Sequence, residues 1–446
     1  MPFVEKYSYI ETFGCQMNDR DSEIMNQLLS ESYLPTHEIA NADVVVVNTC
    51  SIRKKAEEKA FSLLGRLRQL KAGKPSMRIA VVGCVAQQEG QQLINRMPFV
   101  DLVLGTQNIY NLPELLERVS NGKEKIVAVE QTKKFNIPAF LPRLQDGPPH
   151  KRFVTIGQGC NNYCTYCVVP YTRGREVSRD FQEIIDEVEH LCGHGVKEIT
   201  LLGQNVNSYG QDMGEEGRTF SELLRRVAEV DGLQRLRFTT SNPKDLTEDL
   251  IRCFADIDLL CPHFHLPVQS GSNAVLKRMN RKYTIEDYME QVRQLREARP
   301  GIAISTDLIV GFPGETEEDF QATMDLVEKV RYHSAFSFKY SDRPQARSVE
   351  FDGKLSEEEK AGRLKRLQKR IDEIVVERNN EYVGNVETVM VEGRSKNSDK
   401  EWKGRSGTNH VVNFKASSDF NQGDMVEVMI EEGCKNSLRG SQVTEG

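Results

Sequence analysis

The sequence predicts a multidomain α/β protein. An open parallel α/β sheet comes first, a parallel (β/α)6 barrel, complete or partial, second, and a small antiparallel β-barrel last. Three observations predict this order. Apolar strand-like runs alternate with helical segments over the first third and again over the middle, the pattern of parallel sheets covered by helices. From about residue 382 the text changes to short alternating segments divided by Gly, Asn, Asp and Ser. Two cysteine triads, Cys15/Cys50/Cys84 and Cys160/Cys164/Cys167, stand where strands of the first two units end.

A chain of 446 residues has ample material for two or three cores. Its formal charge of -7 excludes a generic polyanion binder, because nonspecific nucleic-acid affinity rests on many Lys and Arg meeting phosphates. The opening MPFVEKYSY lacks the apolar core of a signal peptide, and no stretch approaches ~20 apolar residues. A soluble, reducing, cytoplasmic protein without a membrane partner is expected. Ten cysteines are too sparse for a disulfide scaffold, and intracellular cysteine clusters more often bind metal or do chemistry. Cys192, Cys253, Cys261 and Cys434 stand singly and read as small buried hydrophobes.

Residues 1–147 form the first predicted unit, with strands YSYIETF, DVVVVNT, RIAVVG and DLVLG. Each of the first three runs into a cysteine, and the steps of about 35 residues between those cysteines match one βα unit each. Three thiols should therefore emerge at the carboxyl edge of one sheet, where open α/β sheets bind ligands. Thiolates gathered there favour zinc or an iron–sulfur cluster over hard cations. A structural zinc would want a fourth ligand, and His37 lies in a polar loop away from the strand ends. The alternative is three separate buried cysteines. A Lys-rich and then Pro-rich connection, 121–150, ends in Gly147-Pro148-Pro149.

Residues 148–381 form the second unit. Strands RFVTIGQ, VKEITLLG, LQRLRFTT, HFHLPV, IAISTDLIVGF and HSAFSFKYS are separated by helices near 180–193, 219–229, 246–256, 284–299 and 316–330. The first strand ends in Gly159-Cys160-Asn161-Asn162-Tyr163-Cys164-Thr165-Tyr166-Cys167, a short loop offering three thiolates to a cubane that ordinarily takes four. A zinc knuckle is the alternative, but VVPYTRGRE downstream holds neither Cys nor His. Gln204 and Asn205, Ser241 and Asn242, and Gln269 sit just after strands, at the mouth where polar groups can orient a ligand. Gly311 and Glu315 lie in GFPGE after another strand, where glycine permits close backbone approach; a plain strand-to-helix turn capped by Thr316 explains the text equally well.

Residues 360–370, KAGRLKRLQKR, carry six basic side chains and no acidic one. They read as a solvated helix face, with an RNA backbone track as the sharper alternative. Residues 382–446 form the third unit, whose strands ETVMVEG, EWKGRSG, HVVNF and DMVEVMIEE suggest a barrel of OB-like type. Trp402, Arg405 and Asn409 could meet bases there, or Trp402 could be a barrel aromatic. From residue 384 the text has eight basic and ten acidic residues, so shape and a few directed contacts would do any recognition.

The loop QGCNNYCTYCVVPYTRGRE resembles the radical S-adenosylmethionine enzymes. Taken with ETFGCQMN, NTCSIRKKAEEK, VVGC, LLGQNVNSYG and GFPGETEEDF, the chain resembles the methylthiotransferases, most closely their tRNA-modifying, MiaB-type branch. The text Asn48-Thr49-Cys50-Ser51-Ile52-Arg53 separates that branch from the one acting on a ribosomal protein. The resemblance covers nearly the whole chain. It implies a methylthiotransferase N-terminal domain, a radical S-adenosylmethionine barrel and a TRAM domain that holds tRNA. It further implies two 4Fe-4S clusters, one on each triad, with S-adenosylmethionine on the open iron of the Cys160/Cys164/Cys167 cluster.

Gln204, Asn205, Ser241, Asn242, Gln269, Gly311 and Glu315 are the cofactor contacts that the resemblance suggests. The implied reaction replaces the C2 hydrogen of N6-isopentenyladenosine (dimethylallyladenosine) at tRNA position 37 by a methylthio group, consuming two S-adenosylmethionine. A 5′-deoxyadenosyl radical removes the hydrogen, and no acid–base pair is required. A threonylcarbamoyl-type adenosine or a ribosomal protein is the alternative substrate, and a noncatalytic metal-cluster RNA-binding protein the farther one. A monomer is expected, served by an electron donor and by a supplier of sulfur or cluster.

Overall fold

The computed structural model describes residues 5–443 apart from 52–53, 123, 133–134, 144–146 and 396–397. Ile52 and Arg53, on which the branch resemblance partly leans, therefore lie outside the described residues. So do the first four residues of the opening segment and 144–146 beside the expected boundary.

The N-terminal unit is built from β1 (Tyr7–Phe13), β2 (Leu34–Pro35), β3 (Val44–Thr49), β4 (Arg78–Gly83), β5 (Leu102–Leu104) and β6 (Ile126–Ala128). They form one parallel six-stranded sheet in the order β2-β1-β3-β4-β5-β6. Its helices are α1 (Gln16–Leu29), α2 (Lys54–Gly73), α3 (Cys84–Glu89), α4 (Gln91–Arg96) and α5 (Leu112–Asn121). Every residue of β3 is buried. Alternation divides it, Val44 and Val46 packing into one core and Val45 and Val47 into the other. Burial on both faces is what a helix-covered parallel sheet demands, and each such valine contributes roughly 1.5–3 kcal/mol. The two- and three-residue strands β2 and β6 are additions to the sequence reading; β6 lies inside the text taken as a connection.

The central unit runs through β7 (Lys151–Thr155), β8 (Gly157–Gln158), α6 (Val169–Thr172), β9 (Val177–Ser178), α7 (Phe181–Gly193), β10 (Glu198–Leu202), α8 (Phe220–Ala228), β11 (Arg235–Phe238), α9 (Glu248–Asp256) and β12 (His263–His265). It continues with α10 (Asn273–Arg278), α11 (Ile285–Ala298), β13 (Ala303–Val310), α12 (Glu317–Val330), β14 (Ser334–Lys339) and α13 (Glu357–Asn380). Two parallel sheets, β11-β10-β7 and β12-β13-β14, meet at a parallel bridge between Leu236 and Leu260, so the barrel is partial. One core fills the wall between these strands and their helices. Thr219, Thr247, Thr284 and Thr316 each accept a backbone N–H at a helix start, which supports the predicted N-termini. Cys192, Cys253 and Cys261 are buried, and Cys434 is half-buried.

The C-terminal unit closes a barrel from β15 (Val386–Ser395), β16 (Ser398–Ser406), β17 (Val411–Lys415), β18 (Met425–Gly433) and β19 (Leu438–Gln442) in the order β15-β16-β17-β19-β18. Its strand pairs are antiparallel except β17 with β19. Trp402 is only 6% exposed and packs in this core with Val412, Phe414 and Leu438. That burial makes it the barrel aromatic of the two sequence readings rather than a base-stacking platform.

This small barrel docks on the amino ends of the central strands. Arg235 donates to the carbonyls of Arg405 (2.6 Å) and Thr388 (2.7 Å), and Arg237 donates to those of Ser406 (2.8 Å) and Gly407 (3.1 Å). A cavity of about 1110 Å3 lies in this junction, away from both cysteine triads. Half of the basic run of α13 is spent on ion pairs with α12 and the turn before it. Arg363 meets Glu315 at 2.5 Å, Arg366 meets Glu317 at 2.6 Å, and Arg370 pairs with Glu328. Among the described residues, no helix is long and apolar enough to cross a membrane.

The N-terminal sheet is joined to the barrel by buried charge. Arg20 and Arg179 both pair with Glu187, which is 0% exposed. Arg20 also meets Glu23 at 2.7 Å, and Arg173 meets Asp21 at 2.6 Å. Removing one partner of such a network strands the others without water. Glu187→Gln should therefore destabilise the protein by about 3–5 kcal/mol, read from denaturant unfolding. A loss below about 1 kcal/mol would show these charges to be solvated.

Candidate active site

Strand register brings the first triad together. Phe13 pairs with Thr49 and Thr49 with Gly83, so the chain emerging from β1, β3 and β4 carries Cys15, Cys50 and Cys84 side by side. Gly83 has φ +95, and a Cβ there would lie 2.5 Å from the Thr49 carbonyl oxygen. Only glycine fits between the strands immediately before Cys84. Asn18, fully buried, ties two of the ends. Its Oδ1 accepts from Cys15 N (3.2 Å) and lies 3.4 Å from Cys15 Sγ, while its Nδ2 donates to Asn48 Oδ1 (3.0 Å) and to the Thr49 carbonyl (3.2 Å).

Cys15 hydrogen-bonds Cys50, which lowers its pKa against the opposing cost of burial, and the nearby Arg173 charge adds to the lowering. Burial pushes the Cys84 thiol up, with Arg173 opposing. The second triad lies on the loop after β7 and β8. Burial raises Cys160 to about 11 and Cys167 to about 12, the charge of Cys164 adding to both. Backbone N–H groups of Asn162 and Val169 point at the sulfurs of Cys160 and Cys167, each at 3.5 Å. The half-buried Arg281 approaches Cys164 Sγ at 3.4 Å. Gly159, at φ +82, would place a Cβ 2.0 Å from the Arg175 carbonyl oxygen.

Among the described residues no three His, Cys, Asp or Glu side chains are arranged to hold a single metal ion. A cubane makes a different demand, since each thiolate takes its own corner iron, and metal binding deprotonates a coordinating thiol whatever its resting pKa. Two all-thiol donor sets with N–H groups or arginines facing sulfur fit iron–sulfur ligation.

The polar residues expected at the barrel mouth have separate fates. Gln204 Oε1 accepts from Gly159 N at 2.5 Å, next to Cys160. Asn205 donates to Asp245 at 2.7 Å and leaves its own buried Oδ1 without a hydrogen-bond partner. Gln204, Asn205, Gly159 and Glu176 line one small cavity beside Cys160. Ser241 donates to the His265 carbonyl, and Asn242 N donates to Asn207 Oδ1 at 3.0 Å. Gln269 adopts φ +73 and bridges to β13 through Asp307 and Ile309. At Gly311 a Cβ would lie 2.2 Å from Lys360 Cγ, so α13 comes close to the backbone there. Glu315 accepts from Gly311 N at 2.9 Å and pairs with Arg363, closing the turn onto α13.

Arg173, Arg281, Asn18 and Asp21 were not singled out from sequence. Asn18 and Asp21 lie in α1, where Asn18, Arg20, Asp21 and Ser22 are all buried. A helix burying four polar residues signals a polar interface, but the apolar periodicity that finds helices is blind to it.

The chain matches three known families in series: "Uncharacterized protein family UPF0004" over residues 7–105, the Radical SAM superfamily over 154–327, and the TRAM domain over 380–443. A solved radical S-adenosylmethionine methyltransferase, TsrM from Kitasatospora setae, shares the fold with a TM-score of 0.55 at 16% identity, covering 86% of this chain and 78% of that one. The cobalamin-dependent S-adenosylmethionine radical enzyme OxsB does so with a TM-score of 0.53 at 12% identity, over 83% of this chain and 58% of its own. Full-length similarity is much closer. The tRNA-2-methylthio-N(6)-dimethylallyladenosine synthase of Desulfotalea psychrophila is 55% identical over 98% of this chain and 99% of its own. That of Geobacter sulfurreducens is 50% identical over 99% and 98%.

Gly159→Ala should cost about 1–2 kcal/mol for the left-handed backbone alone and reduce iron bound at the barrel triad. Iron per chain and melting temperature check this, and wild-type values for both would show that the loop tolerates a side chain. Three matched families in series and identity extending from end to end place this chain in the family of the tRNA-2-methylthio-N(6)-dimethylallyladenosine synthases, enzymes of the Radical SAM superfamily.

Proposed function

We propose that this protein places a methylthio group on C2 of N6-dimethylallyladenosine at tRNA position 37, beside the anticodon. The observation that carries the reading is the pair of three-thiol sites, each at the carboxyl edge of a parallel sheet, in two units packed together through buried charge. An aromatic C2–H bond offers no proton acidic enough for general-base removal, so the reaction needs cofactor chemistry that the protein positions and shields. When bound, two 4Fe-4S clusters and S-adenosylmethionine supply the radical that breaks the bond and the methylthio group that replaces the hydrogen.

The residues of the chain bind and orient. Cys160, Cys164 and Cys167 would hold the barrel cluster, and Cys15, Cys50 and Cys84 the auxiliary one. Gln204 and Asn205 lie beside Cys160, with Ser241, Asn242 and Gln269 at neighbouring strand ends, where they would orient S-adenosylmethionine. Gly311 and Glu315, which also meet α13, would complete the set of cofactor contacts. The adenine must leave its stack to reach the cleft between the units, as bases do for other enzymes that act on them. The protein would act in the cytoplasm as a monomer on the anticodon stem-loop, with the C-terminal barrel contributing RNA contacts.

Anaerobic reaction of reconstituted protein, reductant and S-adenosylmethionine with a dimethylallyladenosine anticodon stem-loop should give methylthiolated RNA together with 5′-deoxyadenosine. Cys164→Ala should abolish both products. Cys50→Ala should retain deoxyadenosine and lose the methylthiolated RNA. Methylthio product from Cys50→Ala would remove the auxiliary site from the reaction.

A further inference from the structure

We infer that Arg173, which belongs to the barrel, is a positioning residue for the auxiliary cysteine site and sets the reduction potential of the cluster held there. This rests on the reading of Cys15, Cys50 and Cys84 as cluster ligands. Arg173 follows α6 and is 3% exposed. Its guanidinium donates to both carboxylate oxygens of Asp21, at 2.6 and 3.3 Å, and its charge draws the Cys84 and Cys15 thiols toward their ionised forms. The barrel thus places a cation against the sulfurs of the other unit.

Its two neighbours anchor the same short segment. The Thr172 carbonyl accepts from Thr106 Oγ1 at 2.7 Å, just beyond β5 of the N-terminal sheet. The Gly174 carbonyl accepts the N–H of Cys160, the first cysteine of the barrel triad, at 3.3 Å. Helix α6 also packs against α3, which begins at Cys84. Residues 172–174 therefore touch both cysteine sites.

Charge and hydrogen bonding near sulfur set iron–sulfur potentials. A buried cation favours the reduced cluster, which carries one more negative charge. Asp21 attenuates that cation, so the two residues should act in opposite directions. A neutral residue at 173 should make the cluster harder to reduce, and a neutral residue at 21 should make it easier.

The test uses the full chain with Cys160, Cys164 and Cys167 replaced by alanine, so that one cluster remains, its midpoint potential read by EPR-monitored titration. Arg173→Gln should shift the potential to more negative values, Arg173→Lys should recover part of the shift, and Asp21→Asn should move it to more positive values. An iron-loaded Arg173→Gln protein with an unmoved potential overturns the inference. Should Arg173→Gln hold no iron, Asp21→Asn decides, and an unmoved potential there overturns the inference as well. A parent that assembles no cluster removes the auxiliary-site reading itself, and the inference with it, an outcome distinct from a loaded parent with insensitive variants.

Discussion

The arrangement depends on charge taken out of water between α1 and the barrel. Two sheets whose ligand-bearing edges must share one cleft could have been glued by apolar surface. They are held instead by Arg20, Arg179 and Glu187, by Glu23, and by Asp21 with Arg173. Apolar faces slide and repack at modest cost, whereas a buried ion pair has one geometry, and each misplaced partner is an unsolvated charge. The network adds little net stability over a hydrophobic equivalent. Its physical return is registration, which fixes one cysteine site relative to the other.

Much of the fold was legible because periodicity and punctuation agreed. The valine run of β3 and the alternation in β18 mark strands, while threonine caps mark where barrel helices begin. The six cysteines were legible because each follows a strand or occupies one short loop. What remained hidden has a common cause. Strands β2 and β6 are too short to show a pattern, and β6 exists because the edge of β5 offers it hydrogen bonds. Arg173 and Asp21 become neighbours only after two units pack, and no local text encodes that meeting. Gly311 reads in sequence as a point of close approach, and in the structure Lys360 of the same chain makes one there.

Helix α13 links the ends of the molecule. Its first turns meet the rim at Gly311 and Glu315 through Lys360 and Arg363. Its C-terminal half meets the C-terminal barrel, where Asn379 donates to the Cys434 carbonyl at 2.6 Å and Lys435 pairs with Asp372 at 2.7 Å. A helix of 24 residues spans roughly 36 Å. Its basic face, for which an RNA track is the alternative to a solvated surface in sequence, is partly consumed by ion pairs of Arg366 and Arg370 with α12.

The placement of the C-terminal barrel carries a consequence for the substrate. It sits at the amino ends of β7, β10 and β11, whereas the thiols stand at the carboxyl ends. A five-residue strand such as β10 separates the two by roughly 17 Å at about 3.3 Å per residue. An RNA that delivers a base to one end and is gripped at the other must lie along the outside of the molecule. On the proposed function the protein is then a caliper. Its two jaws, the C-terminal barrel and the thiol-bearing edge, are set apart by the length of the central strands.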